Sequence, residues 1–189
     1  MQEEFIISGF GGQGALFAGQ LISYAAMDAG LHVTWIPSYG PEMRGGTARC
    51  TVVVSDEEIG CPLVRRPSGA IALNIPSMER FEPTVKPGGV LVVNRSLVPE
   101  TSDRTDIRVV YVPATDLATE LGSVRLANVL CLGALVGATG ILPLAALEQA
   151  LEDHLPQRHR WLLELNRQAL HAGAAFVYAV ADADGERAM

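Results

Sequence analysis

The sequence predicts an α/β fold in three layers: a mixed, mostly parallel sheet with helices on both faces and a helical C-terminal half. Short apolar runs alternate with helix-period segments through the first half, which is the pattern of strand–helix–strand units. From Leu126 onward the apolar spacing is helical almost throughout. The consecutive stretches Thr47–Val54 and Glu57–Cys61 can pair as a hairpin, so a mixed sheet is expected rather than a purely parallel one.

Phe5-Ile6-Ile7-Ser8 is a short apolar strand, and Gly9-Phe10-Gly11-Gly12-Gln13-Gly14 is a tight turn. Ala15 to Ala29 reads as a helix closed by Gly30, with Phe17, Leu21 and Ala25 on one face. His32–Ile36 is the next strand. Pro37 to Gly46 is a loop by composition. Along Thr47–Val54, Ala48, Cys50, Val52 and Val54 face one way and the intervening residues the other. Strands also fit Ala70–Leu73, Val90–Val93 after the Pro87-Gly88-Gly89 turn, and Ile107–Tyr111. Helices are predicted at Thr115–Leu121, Leu126–Ala138, Leu144–His154 and Arg158 to about Val177. On the last, Trp161, Leu162, Leu165, Ala169, Ala172 and Phe176 share a stripe. Residues 1–180 read as one domain, and the acidic tail 181–189 is expected to fray.

A length of 189 residues suits one domain. A chain of that size buries roughly 70% of its unfolded surface and needs no disulfide or metal staple. Hydrophobic residues make up 49% and charged residues 19%, which is globular rather than disordered. The formal net charge is −7 with no basic run, so binding nucleic acid or anionic lipid through bulk charge is disfavoured.

Cys50, Cys61 and Cys131 are widely spaced and contain no C-x-x-C pair, so zinc or iron–sulfur ligation lacks its usual spacing. Their odd number and the acidic N-terminus point to a reducing, cytoplasmic setting. The uncharged run Leu126–Leu147 is long enough to span a bilayer. Asn128, Thr139-Gly140 and Pro143 interrupt it, and it reads instead as a buried helix, a turn and a surface helix. Gly133 and Gly137 then suit a helix lying against a sheet. His154 and His159 have no third ligand partner, and Trp35 and Trp161 read as packing anchors. Cys131 reads as an inert core thiol.

Gly9, Gly11 and Gly14 match G-x-G-x-x-G between a strand and a helix, where helix-terminal N–H groups attract phosphate. A dinucleotide site also needs an acid about 20 positions on, and here the second strand ends Trp35-Ile36-Pro37-Ser38. The glycines serve equally well as a sharp turn that lets helix and sheet approach. In Ser38-Tyr39-Gly40-Pro41-Glu42-Met43-Arg44-Gly45-Gly46, Glu42 and Arg44 can pair with each other, or Arg44 can reach a partner carboxylate or a phosphate. Parallel pairing of the first two strands would bring both loops to one sheet end.

Together these two glycine motifs closely resemble the gamma subunit of 2-oxoacid:ferredoxin oxidoreductases. The resemblance continues through Ser55–Ile59, Ala72-Leu73-Asn74, Lys86-Pro87-Gly88-Gly89, Thr139-Gly140 before Pro143, and Leu165-Asn166, covering about residues 3–178. Ser68-Gly69-Ala70 departs from the Pro-Asp that relatives usually carry there. The Ser38–Gly46 form is closest to the 2-oxoglutarate branch, with pyruvate and ketoisovalerate types as neighbours. The resemblance implies oxidative decarboxylation of a 2-oxoacid to acyl-CoA and carbon dioxide, with ferredoxin reduced. It places thiamine diphosphate and iron–sulfur clusters in partner alpha and beta, and in some complexes delta, subunits. This chain would carry no catalytic residue and bind no metal. Its partner-facing or coenzyme A-facing residues would be Gly9, Gly11, Gly12, Gln13, Gly14, Ser38, Tyr39, Gly40, Pro41, Glu42, Arg44, Gly45 and Gly46. The isolated chain is expected to be inactive and to pair with itself when its partners are absent. The alternative is a stand-alone nucleotide-binding protein built on the glycine turn.

Overall fold

Six strands form one sheet within the residues that the computed structural model describes, 1–40 and 46–187. In chain order the described elements are β1 (Gln2–Phe10), α1 (Ala15–Asp28), β2 (His32–Tyr39), β3 (Thr47–Ser55), β4 (Gly69–Ala72), α2 (Ile75–Phe81), β5 (Val90–Asn94), β6 (Arg108–Val112), α3 (Ala114–Glu120), α4 (Ala127–Thr139), α5 (Leu144–His154) and α6 (Leu163–Arg187). Short 3₁₀ turns at Glu82–Thr84, Val124–Leu126 and Gln157–Leu162 join some of them. The strand order is β2-β3-β1-β4-β5-β6. The β1, β4, β5 and β6 strands run parallel, while β3 runs antiparallel to both β1 and β2.

The sheet is mixed, as expected, but by a different route. Glu57–Cys61 is not a strand, and β3 pairs with β1 and β2 instead of folding into a hairpin with it. The first two strands are therefore not neighbours, because β3 lies between them. The loop ends still meet, since Phe10 at the end of β1 opposes Thr47, and Tyr39 at the end of β2 opposes Ala48. Pro37, Ser38 and Tyr39 belong to β2 rather than to the loop, because its pairing with β3 continues that far.

The period-two pattern divides the core. Phe5, Ile7, Val52, Ile71 and Val92 face α1 and α4 in one cluster. Ile6, Ala70, Ala72, Leu91 and Val93 face Met78 and Phe81 of α2 in the other. Helix α2 escaped the period reading because it is short, and its start is marked by Asn74, whose side chain accepts a hydrogen bond from the Ser77 N–H. The α1 helix ends as predicted at Gly30, in the left-handed conformation. There the Gly30 N–H bonds Met27 O and the Leu31 N–H bonds Ala26 O, a Schellman closure.

Gly133 and Gly137 face α6, not the sheet. A methyl group at Gly133 would meet the Leu170 carbonyl, and one at Gly173 would meet that of Leu130, so the two backbones touch through paired glycines. Trp161 lies in the 3₁₀ turn before α6 and is 71% exposed, so it is not a packing anchor. The buried stripe of α6 is instead Asn166, Ala169, Leu170, Gly173 and Val177. The helix runs past the expected stop near Val177 and through Ala181 to Arg187. No helix among the described residues is long and apolar enough to cross a membrane.

Candidate functional site

The site grows from the turn between β1 and α1. Gly12 and Gly14 have φ of 99° and 79°, which side-chain-bearing residues rarely adopt. The Gln13 N–H closes the turn on Phe10 O at 3.0 Å, and the Gly11 N–H donates to Gly46 O at 2.9 Å. This last bond joins the turn to the end of the second glycine motif. Gly40 bonds Thr47 O at 2.7 Å, Ser38 is half-buried, and Tyr39 is exposed. Pro41, Glu42, Met43, Arg44 and Gly45 lie outside the described residues.

Strands β1 and β4 are parallel neighbours whose following helices lie on opposite faces of the sheet. Doubly wound sheets usually bind ligands in the crevice at such a switch point. Here the Gln13 side chain fills it. Gln13 Oε1 accepts from the Phe10 N–H at 2.6 Å and from Asn74 Nδ2 at 3.0 Å, and its Nε2 donates to Leu73 O at 3.2 Å. Ser77 Oγ, one turn into α2, bonds the buried Ser8 Oγ at 2.9 Å. The Gly9 backbone must lie close because a methyl group there would sit 2.7 Å from Gln13 Oε1. This network makes Gln13 a structural clasp between two strand ends.

Open space lies instead on the α4 side of the turn. A cavity of about 210 Å³ is lined by Gly12, Gly14, Phe17, Ser123, Arg125 and Asn128, among others. A smaller one of about 120 Å³ shares Gly12 and Arg125, borders Gln13 and Leu73, and reaches Asn94 at the end of β5 and Thr115 in the first turn of α3. A third, about 220 Å³, adjoins the first through Phe17, Leu155 and His159. In it His154 stacks on Tyr24 at 4.1 Å and lies 2.8 Å from Asp28.

Asn128 is the polar residue that interrupts the apolar run of α4, and it is 2% exposed. Its Nδ2 donates to Gly14 O at 2.8 Å, while its Oδ1 is buried without a hydrogen-bond partner among the described residues. A buried acceptor of this kind is costly unless something donates to it. The first N–H groups of α1 precede its first backbone bond, Ala18 N–H to Gly14 O, and together with Arg125 they make this cavity favourable to an anion. Asn128 and Arg125 were absent from the sequence-level site. The available signal was an asparagine within a stretch of strongly apolar helix.

Two of the three cysteines offer no nucleophile. Burial pushes the thiols of Cys50 and Cys131 up to about 12. Cys61 is exposed, and all three are free. No group of three His, Cys, Asp or Glu side chains among the described residues is arranged to hold a metal.

Residues 4–176 match the model of the family described as pyruvate ferredoxin/flavodoxin oxidoreductase. Subunit KorC of 2-oxoglutarate synthase from Methanothermobacter marburgensis is 36% identical over 184 residues, which cover 94% of this chain and 97% of KorC. Ketoisovalerate oxidoreductase subunit VorA of the same organism is 37% identical over 170 residues, 89% of this chain but 35% of VorA. The chain thus spans about a third of that longer relative. The gamma subunit of a keto/oxoacid ferredoxin oxidoreductase from Geobacter sulfurreducens superposes with a TM-score of 0.79 at 30% identity, over 94% of this chain and 99% of that one. The 2-oxoglutarate:ferredoxin oxidoreductase of Magnetococcus marinus, with 2-oxoglutarate, coenzyme A and succinyl-CoA bound, gives a TM-score of 0.84 at 26% identity over 94% of this chain and 31% of that one. The match over nearly the whole chain, at the level of both sequence and fold, means that the protein belongs to the pyruvate ferredoxin/flavodoxin oxidoreductase family, as a chain of the gamma-subunit type.

Proposed function

We propose that this chain is the non-catalytic gamma subunit of a cytoplasmic 2-oxoacid:ferredoxin oxidoreductase, and that its glycine-turn end faces coenzyme A at the junction with the other subunits. In the reaction the 2-oxoacid loses carbon dioxide, its acyl carbon passes to the coenzyme A thiol, and the electron pair goes to ferredoxin. Thiamine diphosphate and the iron–sulfur clusters belong to the alpha and beta, and where present delta, subunits. Two thiols of this chain are buried and inert, which suits that division. The 2-oxoglutarate branch is favoured by the Ser38–Gly46 motif and by the full-length likeness to KorC.

The observation that carries the coenzyme A assignment is the cavity in which Gly12 and Gly14, at the α1 N-terminus, meet Arg125. Both suit phosphate. Gly46, which ends the second motif, bonds the same turn, and Tyr39, Glu42 and Arg44 of that motif would supply contacts to ligand or partner. The rival reading, a stand-alone dinucleotide-binding protein, is disfavoured because Gln13 occupies the switch-point crevice and β2 ends without an acid.

The test is Arg125→Ala in the reconstituted complex. The KM for coenzyme A is expected to rise about tenfold to a hundredfold, since a charged contact to phosphate contributes roughly 1.5–3 kcal/mol. The KM for the 2-oxoacid should stay unchanged. An unchanged coenzyme A KM, or viologen reduction by the isolated chain with 2-oxoglutarate and coenzyme A, would overturn the reading.

A further inference from the structure

The sheet is not covered evenly on its second face. Helix α2 packs on β1 and β4, whereas no helix backs β2 and β3 there; one end of their second face, at Val53 and Thr34 Oγ1, is buried, and the other end, at Ile36, is open. On the second face Ser38 and Arg49 lie in register with Ser8, beside Ile36, which is 40% exposed, and below Phe10, which is 39% exposed. The guanidinium of Arg49 lies 5.7 Å from the centre of the Phe81 ring, and that of Arg80 lies 5.5 Å from the same centre. Phe81 is buried at 4% exposure, so it forms a fixed platform holding two cations at the border of the open end of β2 and β3. Among the described residues neither arginine takes part in an ion pair.

We infer that the open end of this face, around Ile36 and Ser38 of β2 and Arg49 of β3, with Arg49 and Arg80 held on Phe81, docks a carboxylate-bearing segment of another protein subunit. Charge decides the occupant. The chain as a whole carries −7, so two arginines converging on one ring are a local reversal of sign. A second copy placed on this face about a two-fold axis would set Arg49 and Arg80 against the same pair, which repel. An acidic segment gains both guanidinium forks and covers Ile36 and Phe10. Addition of a strand along β2 is a poorer use of this edge because Pro37 interrupts it. The face is distinct from the glycine-turn cavity, which opens on the α4 side.

The experiment uses the complex reconstituted from this chain and its partner subunits. Failure of the wild-type chain to assemble overturns the gamma-subunit reading and this docking face together; with assembly intact, the variants judge the face alone. The double charge reversal Arg49→Glu with Arg80→Glu is expected to weaken association about tenfold or more and to flatten its salt dependence. In parallel, Arg49→Lys keeps the charge and allows carbodiimide coupling of its amine to any carboxylate in contact. Lys86 is the only native lysine, so the background is small. A cross-link from position 49 to an Asp or Glu of another subunit is the expected result. Unchanged association of a folded charge-reversed variant, or cross-links confined to this chain or to a second copy of it, would overturn the proposal. Weakened binding of inorganic phosphate with assembly unchanged would assign the face to a small anion and overturn it as well.

Discussion

Gly14 shows how narrowly one residue is constrained here. Its φ of 79° strains any side chain, and a methyl group would run into the Asn128 amide that bonds its carbonyl. Gly14→Ala is therefore expected to cost about 2–3 kcal/mol, read from the shift in urea midpoint at unchanged slope. Gln13 is equally committed, with both ends of its amide bonded to backbone or side chain. The thiols give a second check at this scale. With burial holding Cys50 and Cys131 at about 12, their thiolates are negligible near neutral pH. Iodoacetamide at pH 8 should label only Cys61 in the native chain and all three cysteines in denaturant. Rapid labelling of Cys50 or Cys131 in the native chain would show that the packing over α1 or α4 is looser than described.

Among the elements, α4 and α6 depend most visibly on small residues. Gly133 and Gly173 let the two backbones touch, while a methyl group at Gly137 would come 3.3 Å from Ala174. The expected order follows from these contacts. Gly133→Ala should lower stability by about 2–3 kcal/mol through separation of the helices. Gly137→Ala should cost less, because a shift of a few tenths of an ångström relieves it. Thermal melts of the two variants give the comparison; equal losses would mean that the helices yield as a unit. α4 also carries Asn128, so Gly133→Ala is expected to disturb the glycine-turn cavity indirectly, whereas substitutions at exposed positions of α5 should not.

At the scale of the whole molecule, one end of the sheet gathers the site. The ends of β1, β4 and β5, the start of β3 and the first turn of α3 bring together Gly11, Asn74, Asn94, Gly46 and Thr115. Exposed Phe10, Tyr39 and Leu97 lie at or just beyond strand ends, and exposed Val124 and Trp161 lie on the turns that lead into α4 and α6. Large apolar side chains concentrated at one end suit an interface. Trp161 reports on this directly, since the second tryptophan, Trp35, is half-buried. Assembly with the partner subunits is expected to shift the tryptophan emission to shorter wavelength, and Trp161→Phe should abolish most of the shift. A shift that persists in the variant would place the interface elsewhere.

The local elements were legible in the sequence because local rules set them. Period-two alternation marked Cys50, Val52 and Val54 as one face, and Gly30 and Gly140 marked the ends of α1 and α4, where both glycines adopt positive φ. The two glycine motifs also pointed to one functional end, and Gly11 bonds Gly46 there. The pairing order was not legible, because β3 inserts between β1 and β2 through contacts far apart in sequence, and no single segment's pattern encodes its neighbour. The partner of Gly133 was hidden for the same reason, since a small-residue spacing shows close approach without saying to what. The Gln13 plug and the unmet acceptor of Asn128 exist only once residues separated by 61 and 114 positions come together, as in the Asn74–Gln13 and Asn128–Gly14 bonds. Hydrogen-bond satisfaction depends on which groups share one buried volume, so only the tertiary structure could decide where the chain is closed and where it is open to a ligand.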